Sequence, residues 1–461
     1  MIRITNNKIK QKRTQNTKNK QKQNGEICFL LSQDNISMKV LPVPTKQVPA
    51  PPPKFLTQGG YGCVFHPGIS CKEDGLLTDK YITKIQASKD TSSREKVIGE
   101  KVKKIKNYAD YYAPILSSCA VSLSNVSDSE IKKCDIIKPD ALTYAASKLR
   151  YVGKNTLLKH LLAKYTAKPI GINREIVSTH KALLDGFKRL SDAGIIHYDV
   201  KDNNVMCEDK TGTPIIIDFG LSIDVSEISA NDYKDAFYVY GPDYGPWCLE
   251  IAMISYAANE MKPDDHIMTG GYVGFGGATV PIKWTDIEVK KEHIDRVIGD
   301  FIKQNDAFAD LIVEAQREKY RVSMTQYYSK YIGKQWKEMV VELQTHSKSW
   351  DNYGLSVCYL YIINQLKLGE VALMKSYKSY LEEIIMSPPS ERPTCEQTMA
   401  KLNELFGKVK KNDQKKQQKD LLIKSRNPAV QAEVKNNVWT SIKRQLIIDD
   451  KMKEQRRLIY A

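Results

Sequence analysis

Asp218 lies fourteen residues beyond Asn204, and the chain between them reads as strand, turn and strand in VMCEDKTGTPIII. A hairpin of that kind returns the chain on itself, so that Asn204 at its entrance faces Asp218 at its exit. The entrance is crowded. GIIHYDVKDNN, residues 194–204, runs two isoleucines and His197 straight into Asp199, Lys201, Asp202, Asn203 and Asn204. β-Favouring and apolar residues that deliver so dense a polar group place it at the end of an element, where it opens on a cleft. Any fold for this chain has to bring these two polar groups side by side.

An amide oxygen and a carboxylate meeting there are hard donors suited to Mg2+, which takes a few carboxylates together with phosphate oxygens. Mn2+ is a chemically similar substitute. With Asn204 and Asp218 given to the metal, Asp199 is left to orient an attacking hydroxyl and accept its proton. Lys201, two residues on, points the same way and neutralises charge on a transferred phosphoryl group. The specific part of the signal is the spacing D-x-K-x-x-N followed by D-F-G.

A nucleotide site is then expected upstream. LTQGGYGCVF carries Gly59, Gly60 and Gly62 ahead of Val64, in the order of a G-x-G-x-x-G-x-V loop with Thr57 in the first glycine's place. Glycines let such a hairpin close over the phosphates of ATP with backbone N–H groups facing them. In KYITKIQ, Tyr81, Thr83 and Ile85 alternate with Ile82 and Lys84, so a strand carries Lys84 toward the α- and β-phosphates. That lysine needs a carboxylate to fix it. Glu95, Ile98, Val102 and Ile105 share one helical face, whereas Glu100 lies far around the helix among lysines, and phase selects Glu95.

The net charge of +16 suggests a nucleic-acid partner until it is located along the chain. Residues 1–54 carry 11 Lys and Arg against 2 Asp and Glu, and 407–461 carry 15 against 6, which leaves 55–406 at −2. The ends are basic and the middle is not, so nonspecific phosphate contact falls to the tails. Residues 1–24 are too polar to repay ordering, and LPVPTKQVPAPPPK (41–54) is an extended spacer. The C-terminal tail regains helical periodicity in NNVWTSIKRQLIIDDKMKEQRRLIY. Nine cysteines without a CxxC pair read as free thiols in a reducing compartment, Cys63 and Cys71 among them. No apolar run approaches the roughly 18 residues of a membrane span, and the first residues lack a secretory core, so an intracellular protein is expected.

From Phe55 to about residue 152 short β-type runs surround one helical stretch. Beyond Asn155 helical patterns dominate, as in LLKHLLAKY and HKALLDGFKRLSDAG. The expected class is α+β, with a small β-rich lobe (55–152) and a larger, mainly helical lobe (153–406) interrupted by an inserted segment at about 258–350. Within that segment IDRVIGDFI and KQWKEMVVEL read as amphipathic helices packed on the large lobe. GGYVGFGGATV (270–280) reads as a loop, since no lysine follows it at a useful place.

Together these motifs resemble the eukaryotic-type protein kinases. GPWCLEI resembles the end of their activation segment, with Glu250 at its glutamate. WDNYGLSVCYL resembles the buried-aspartate helix, with Asp351, and SPPSERPTCEQ the late arginine motif, which implies Arg392 as the buried partner of Glu250. KLRYVG falls where the hinge belongs, implying Leu149 as gatekeeper and adenine contacts near Arg150 and Val152. The resemblance implies a two-lobed fold and transfer of the ATP γ-phosphate, and Lys201 implies Ser or Thr acceptors on protein substrates. His197 is implied to be structural. Tyr198 stands where the family usually has an arginine that pairs with an activation-loop phosphate, which implies a loop ordered without that phosphate. GGYGCVFHPGISC, KIKNYADYYAPIL and HYDVKDNNVM are more narrowly similar to the serine/threonine kinases of large nucleocytoplasmic DNA viruses. A viral origin would place the enzyme in the host cytoplasm, with packaging in the virion an option.

Two other classes stay open on the sequence alone: a nucleotide-binding pseudokinase scaffold, and a nucleic-acid-associated protein that acts through its tails. No pattern bears on oligomeric state.

Overall fold

The computed structural model describes residues 51–59, 62–71, 79–86, 89–138, 143–228, 233–261, 284–407, 421–422, 425, 427–440 and 443. Gly60, the glycine-rich stretch 270–280, nearly all of the N-terminal tail and most of the C-terminal tail lie outside the described residues.

The first part is an antiparallel sheet of five strands. These are β1 (Lys54–Gly59), β2 (Gly62–His66), β3 (Tyr81–Gln86), β4 (Ser117–Val121) and β5 (Tyr144–Arg150), in the order β1-β2-β3-β5-β4. Helix α1 (Lys89–Val102) connects β3 to β4, and a single turn, α2 (Asp128–Ile131), precedes β5. Period-two patterning explains β3. Ile85 joins a small core with Cys63, Phe65, Val121 and Ala146, while the alternate residues Lys84 and Gln86 point to α1. Register places Lys84 opposite Val64 on one side and Ser147 on the other. At Gly62 a Cβ would come within 2.0 Å of the Ile85 carbonyl oxygen, so the hairpin can lie this close only with glycine there.

The cysteine expectation is corrected here. Cys63 is bonded to Cys134, and Cys71 to Cys119, with Cα–Cα distances of 6.0 and 5.9 Å, inside the range a disulfide requires. The partners are 71 and 48 residues apart in sequence, and in each pair one cysteine is on a strand, Cys63 on β2 and Cys119 on β4, while the other lies outside the strands. Cys207, Cys248, Cys358 and Cys395 are free and buried.

Helices build the rest around a second, larger core. After β6 (Asn155–Thr156) come α3 (Leu157–Ala167) and α4 (Ile172–Asp192), whose apolar stripe of Ile176, Leu183, Leu184 and Phe187 is buried. Next follow β7 (Ile195–Ile196), β8 (Val205–Cys207), β9 (Pro214–Ile216) and β10 (Ile223–Asp224). Strands β8 and β9 form the expected hairpin, with β6 on its edge, and β7 pairs with β10. One turn, α5 (Tyr233–Ala236), leads to α6 (Leu249–Glu260), which is buried along nearly its whole length. The amphipathic runs of 284–350 form α7 (Lys291–Gln304), α8 (Asp306–Leu311), α9 (Glu314–Ser329) and α10 (Trp336–Gln344). Ile294, Val297 and Phe301 of α7 and Trp336, Met339 and Leu343 of α10 belong to the same large core. Helices α11 (Trp350–Gln365), α12 (Ala372–Met386) and α13 (Cys395–Gly407) complete it, with α13 packed on α4. Among the described residues no helix is long and apolar enough to cross a membrane.

Candidate active site

Lys84 links three elements. Its Nζ lies 3.1 Å from Glu95 Oε2 on α1 and 3.1 Å from Asp218 Oδ1, just beyond β9. Gln86 Nε2 donates to the same Glu95 oxygen at 3.2 Å and its own Oε1 accepts from Ser147, so the glutamate is held from two residues of β3. Glu95 is 3% exposed, whereas Glu100 lies outside and pairs with Lys103. Burial pulls the Lys84 ammonium down, but Asp218 and Glu95 outweigh it and hold its pKa above the ordinary lysine value. For Asp218 burial acts upward, yet Lys84 and then Lys201 hold the carboxyl below the usual carboxylate range. Lysine and aspartate are both charged at neutral pH.

The β8–β9 hairpin sets the other side. Ile217 N–H donates to the Asn204 carbonyl at 2.9 Å, which fixes the residue before Asp218 against the residue before β8. Asp218 has φ of +61°, a left-handed conformation uncommon for a non-glycine residue, and its Oδ1 accepts from Gly220 N–H at 3.4 Å. Asn204 Nδ2 donates to the Asp199 carbonyl at 2.9 Å and to Asp199 Oδ2 at 2.8 Å. Because its nitrogen is committed to Asp199, the amide oxygen is the atom Asn204 can offer a cation. One amide oxygen and one ionised carboxylate on a common hairpin fit a hard, oxygen-seeking divalent ion.

Tyr198, between His197 and Asp199, also has positive φ, +70°. Such strain persists where the surroundings over-determine it. Here Asp351, on α11, accepts from the backbone N–H of His197 at 2.8 Å and of Tyr198 at 3.0 Å, and Trp247 Nε1 donates to the Tyr198 carbonyl at 2.9 Å. Burial pushes the Asp351 carboxyl up, against His197 and those two N–H groups. His197 is fully buried, its Nε2 on the Ile217 carbonyl and its Nδ1 accepting from Asp199 N–H, so it packs and orients. The Tyr198 ring is buried against Phe237 and Trp247, with centroids 5.9 and 4.7 Å away. Glu250 at the start of α6 meets Arg392 in a bidentate pair of 2.5 and 3.1 Å, both side chains fully buried.

Asp199 is 3% exposed. Lys201 Nζ stands 3.2 Å from its Oδ1, and the phenol of Tyr244 donates to that same oxygen. Nothing in the spacing of the motifs marks Tyr244: it lies 45 residues downstream in the irregular stretch GPDYGPW. The only available signal was its place shortly before Glu250.

The remaining candidates line the sheet side. Thr57 pairs with Val64, and Gly59 with Gly62, across the β1–β2 hairpin. Leu149 is buried on β5 opposite Ile82. Arg150 ends that strand in an ion pair with Glu208 at 3.4 Å, and Val152 follows half-buried. Gly60 is outside the described residues.

Residues 134–243 match the family model of the protein kinase domain, a stretch that includes Leu149, Asp199, Lys201, Asn204 and Asp218. Over 50 residues, 11% of this chain, the sequence is 42% identical to the smooth-muscle myosin light chain kinase of Gallus gallus. That match covers 3% of the relative's length. Both matches support a eukaryotic-type protein kinase, and a sheet followed by many helices is consistent with its α+β fold.

Proposed function

We propose that this protein is a serine/threonine protein kinase that transfers the γ-phosphate of ATP to Ser and Thr hydroxyls of protein substrates. The observation that carries the reading is Lys84 held between Glu95 and Asp218 on one side of a site whose other side is Asp199, Lys201 and Asn204. In this reading the sheet part (55–152) and the helical part (153–406) are two lobes, with 258–350 inserted in the second. The β1–β2 hairpin with Thr57, Gly59, Gly62 and Val64 covers the nucleotide. Leu149, Arg150 and Val152 border the adenine.

Lys84 neutralises the α- and β-phosphates and Glu95 keeps it extended toward them. Asn204 and Asp218 are the residues that would hold Mg2+, which supplies charge neutralisation at the phosphate oxygens when bound. Asp199 orients the acceptor hydroxyl and takes its proton as the new bond from the hydroxyl oxygen to the γ-phosphorus forms and the bond from that phosphorus to the β-phosphate oxygen breaks, leaving ADP. Lys201 offsets charge on the transferred group. The buried Glu250–Arg392 pair supports a protein rather than a small-molecule acceptor, on the resemblance of both motifs to the protein kinases. The similarity of GGYGCVFHPGISC and HYDVKDNNVM to kinases of large nucleocytoplasmic DNA viruses makes a viral origin part of the same reading.

Phosphoamino-acid analysis of a mixed protein substrate, labelled from γ-labelled ATP with Mg2+, tests it. Label on Ser and Thr is expected. ATP binding without transfer would favour the scaffold, and label confined to Tyr would remove the acceptor assignment.

A further inference from the structure

We propose that Tyr244 is a positioning residue for phosphoryl transfer, its phenol holding Asp199 and Lys201 in their working arrangement. The proposal rests on the kinase reading above. An ionised carboxylate offers about four lone-pair positions, two on each oxygen. Asn204 Nδ2 takes one on Oδ2, at 2.8 Å. The Tyr244 hydroxyl and Lys201 Nζ both lie on Oδ1, and Nζ is also 3.4 Å from the phenol oxygen. Oδ1 is thereby filled, and Oδ2 keeps capacity for one more donor. The phenol in this way selects which oxygen meets an incoming hydroxyl, and it anchors the lysine beside it.

The ring is built to stay where it is. Tyr244 is 2% exposed, and its centroid lies 5.0 Å from that of Trp247, which is itself tied to Tyr198. The backbone is fixed as well. Fully buried Asn305 donates through Nδ2 to the carbonyls of Pro242 and Tyr244, each at 3.2 Å, while its Oδ1 caps the start of α8. Tyr244 also lines a cleft with Val200, Lys201, Pro246, Tyr361 and Gln365.

A phenol seated on the proton-accepting carboxylate has one competing explanation: it blocks the site and must leave before an acceptor can bind. The two accounts differ in sign. Steady-state transfer by the full chain, wild type against Tyr244→Phe, separates them, with KM for ATP and the melting temperature measured on both. Losing one hydrogen bond to a charged group predicts a fall in kcat of about 10- to 100-fold. KM for ATP is expected to stay at the wild-type value and the melting temperature to fall by no more than about 2–4 °C, the cost of one hydrogen bond, because the substitution removes one oxygen and leaves the ring in place. An unchanged kcat overturns the proposal, and a raised kcat assigns the phenol as a block instead. A fall in kcat accompanied by matching losses in ATP affinity and melting temperature also overturns it, since that is what a merely structural tyrosine would give. A wild type without any transfer removes the kinase reading and this inference with it, whereas an active wild type unmoved by the substitution removes the inference alone.

Discussion

Replacing Arg392 by methionine removes the partner of a carboxylate that has no access to water. Glu250 and Arg392 are both fully buried, joined by contacts of 2.5 and 3.1 Å, and Arg392 Nη2 also donates to the Ser387 carbonyl at 3.1 Å. Breaking such a pair from one side costs about 3–5 kcal/mol, because the remaining charge stays desolvated. For a folded part of roughly 350 residues that corresponds to a fall in melting temperature of about 4–7 °C. Replacing both residues by apolar ones of similar volume, as in Glu250→Leu with Arg392→Met, is expected to restore most of the loss. Thermal melts followed by tryptophan fluorescence suit the measurement, since Trp247, Trp336 and Trp350 are all buried in the same core. The effect also reaches the site: Glu250 opens α6 three residues after Trp247, whose indole holds the strained Tyr198 beside Asp199. Transfer rate is therefore expected to drop in the single variant even at temperatures where it is folded. If Arg392→Met melted within a degree of wild type, or the double variant were no more stable than the single one, the argument from uncompensated burial would fail.

Three further outcomes are expected. Alkylation of the denatured, unreduced chain should spare Cys63, Cys71, Cys119 and Cys134, and reduction should destabilise the fold by about 4 kcal/mol per bridge at these loop lengths; labelling of all four without reductant contradicts the pairing. His180 is buried on Tyr359 and Tyr377, and burial holds its imidazole down at about 3, below its unfolded value of roughly 6.5. The native state thus binds fewer protons than the unfolded one between these values. Its contribution is complete above about pH 6.5 and declines as pH falls toward 3. His180→Gln should flatten that decline by a few kcal/mol, roughly, in urea titrations at successive pH values. Finally, phosphatase treatment is expected to leave most activity intact, because the position where the resemblance puts a phosphate-pairing arginine holds Tyr198, packed on Phe237 and Trp247, and Lys101 pairs with Asp224 nearby in sequence; near-complete loss of activity argues the reverse.

How far the sequence was legible follows from the range of each interaction. Asn204 and Asp218 are joined by a local hairpin, so their spacing carried the geometry. Glu95 could be chosen over Glu100 because helical phase is also local, and Ile98 and Val102 lie buried on the same face. Arg392 and Glu250 are 142 residues apart and were paired only through resemblance to a family. The disulfides had neither support, since each joins a strand cysteine to a distant one in irregular chain, 71 and 48 residues away. Tyr244 was missed for the same reason: it sits between Gly241-Pro242 and Gly245-Pro246, where no period applies, and its partner is on another element.

The central claim is that Asp199 accepts the proton during phosphoryl transfer at the site made by Lys84, Glu95, Asn204 and Asp218. Single-turnover transfer from ATP with Mg2+, compared between wild type and Asp199→Asn at matched nucleotide occupancy, tests it most directly. The account predicts that nucleotide affinity is retained while transfer slows by at least about 100-fold. Equal transfer rates in the two proteins would contradict it.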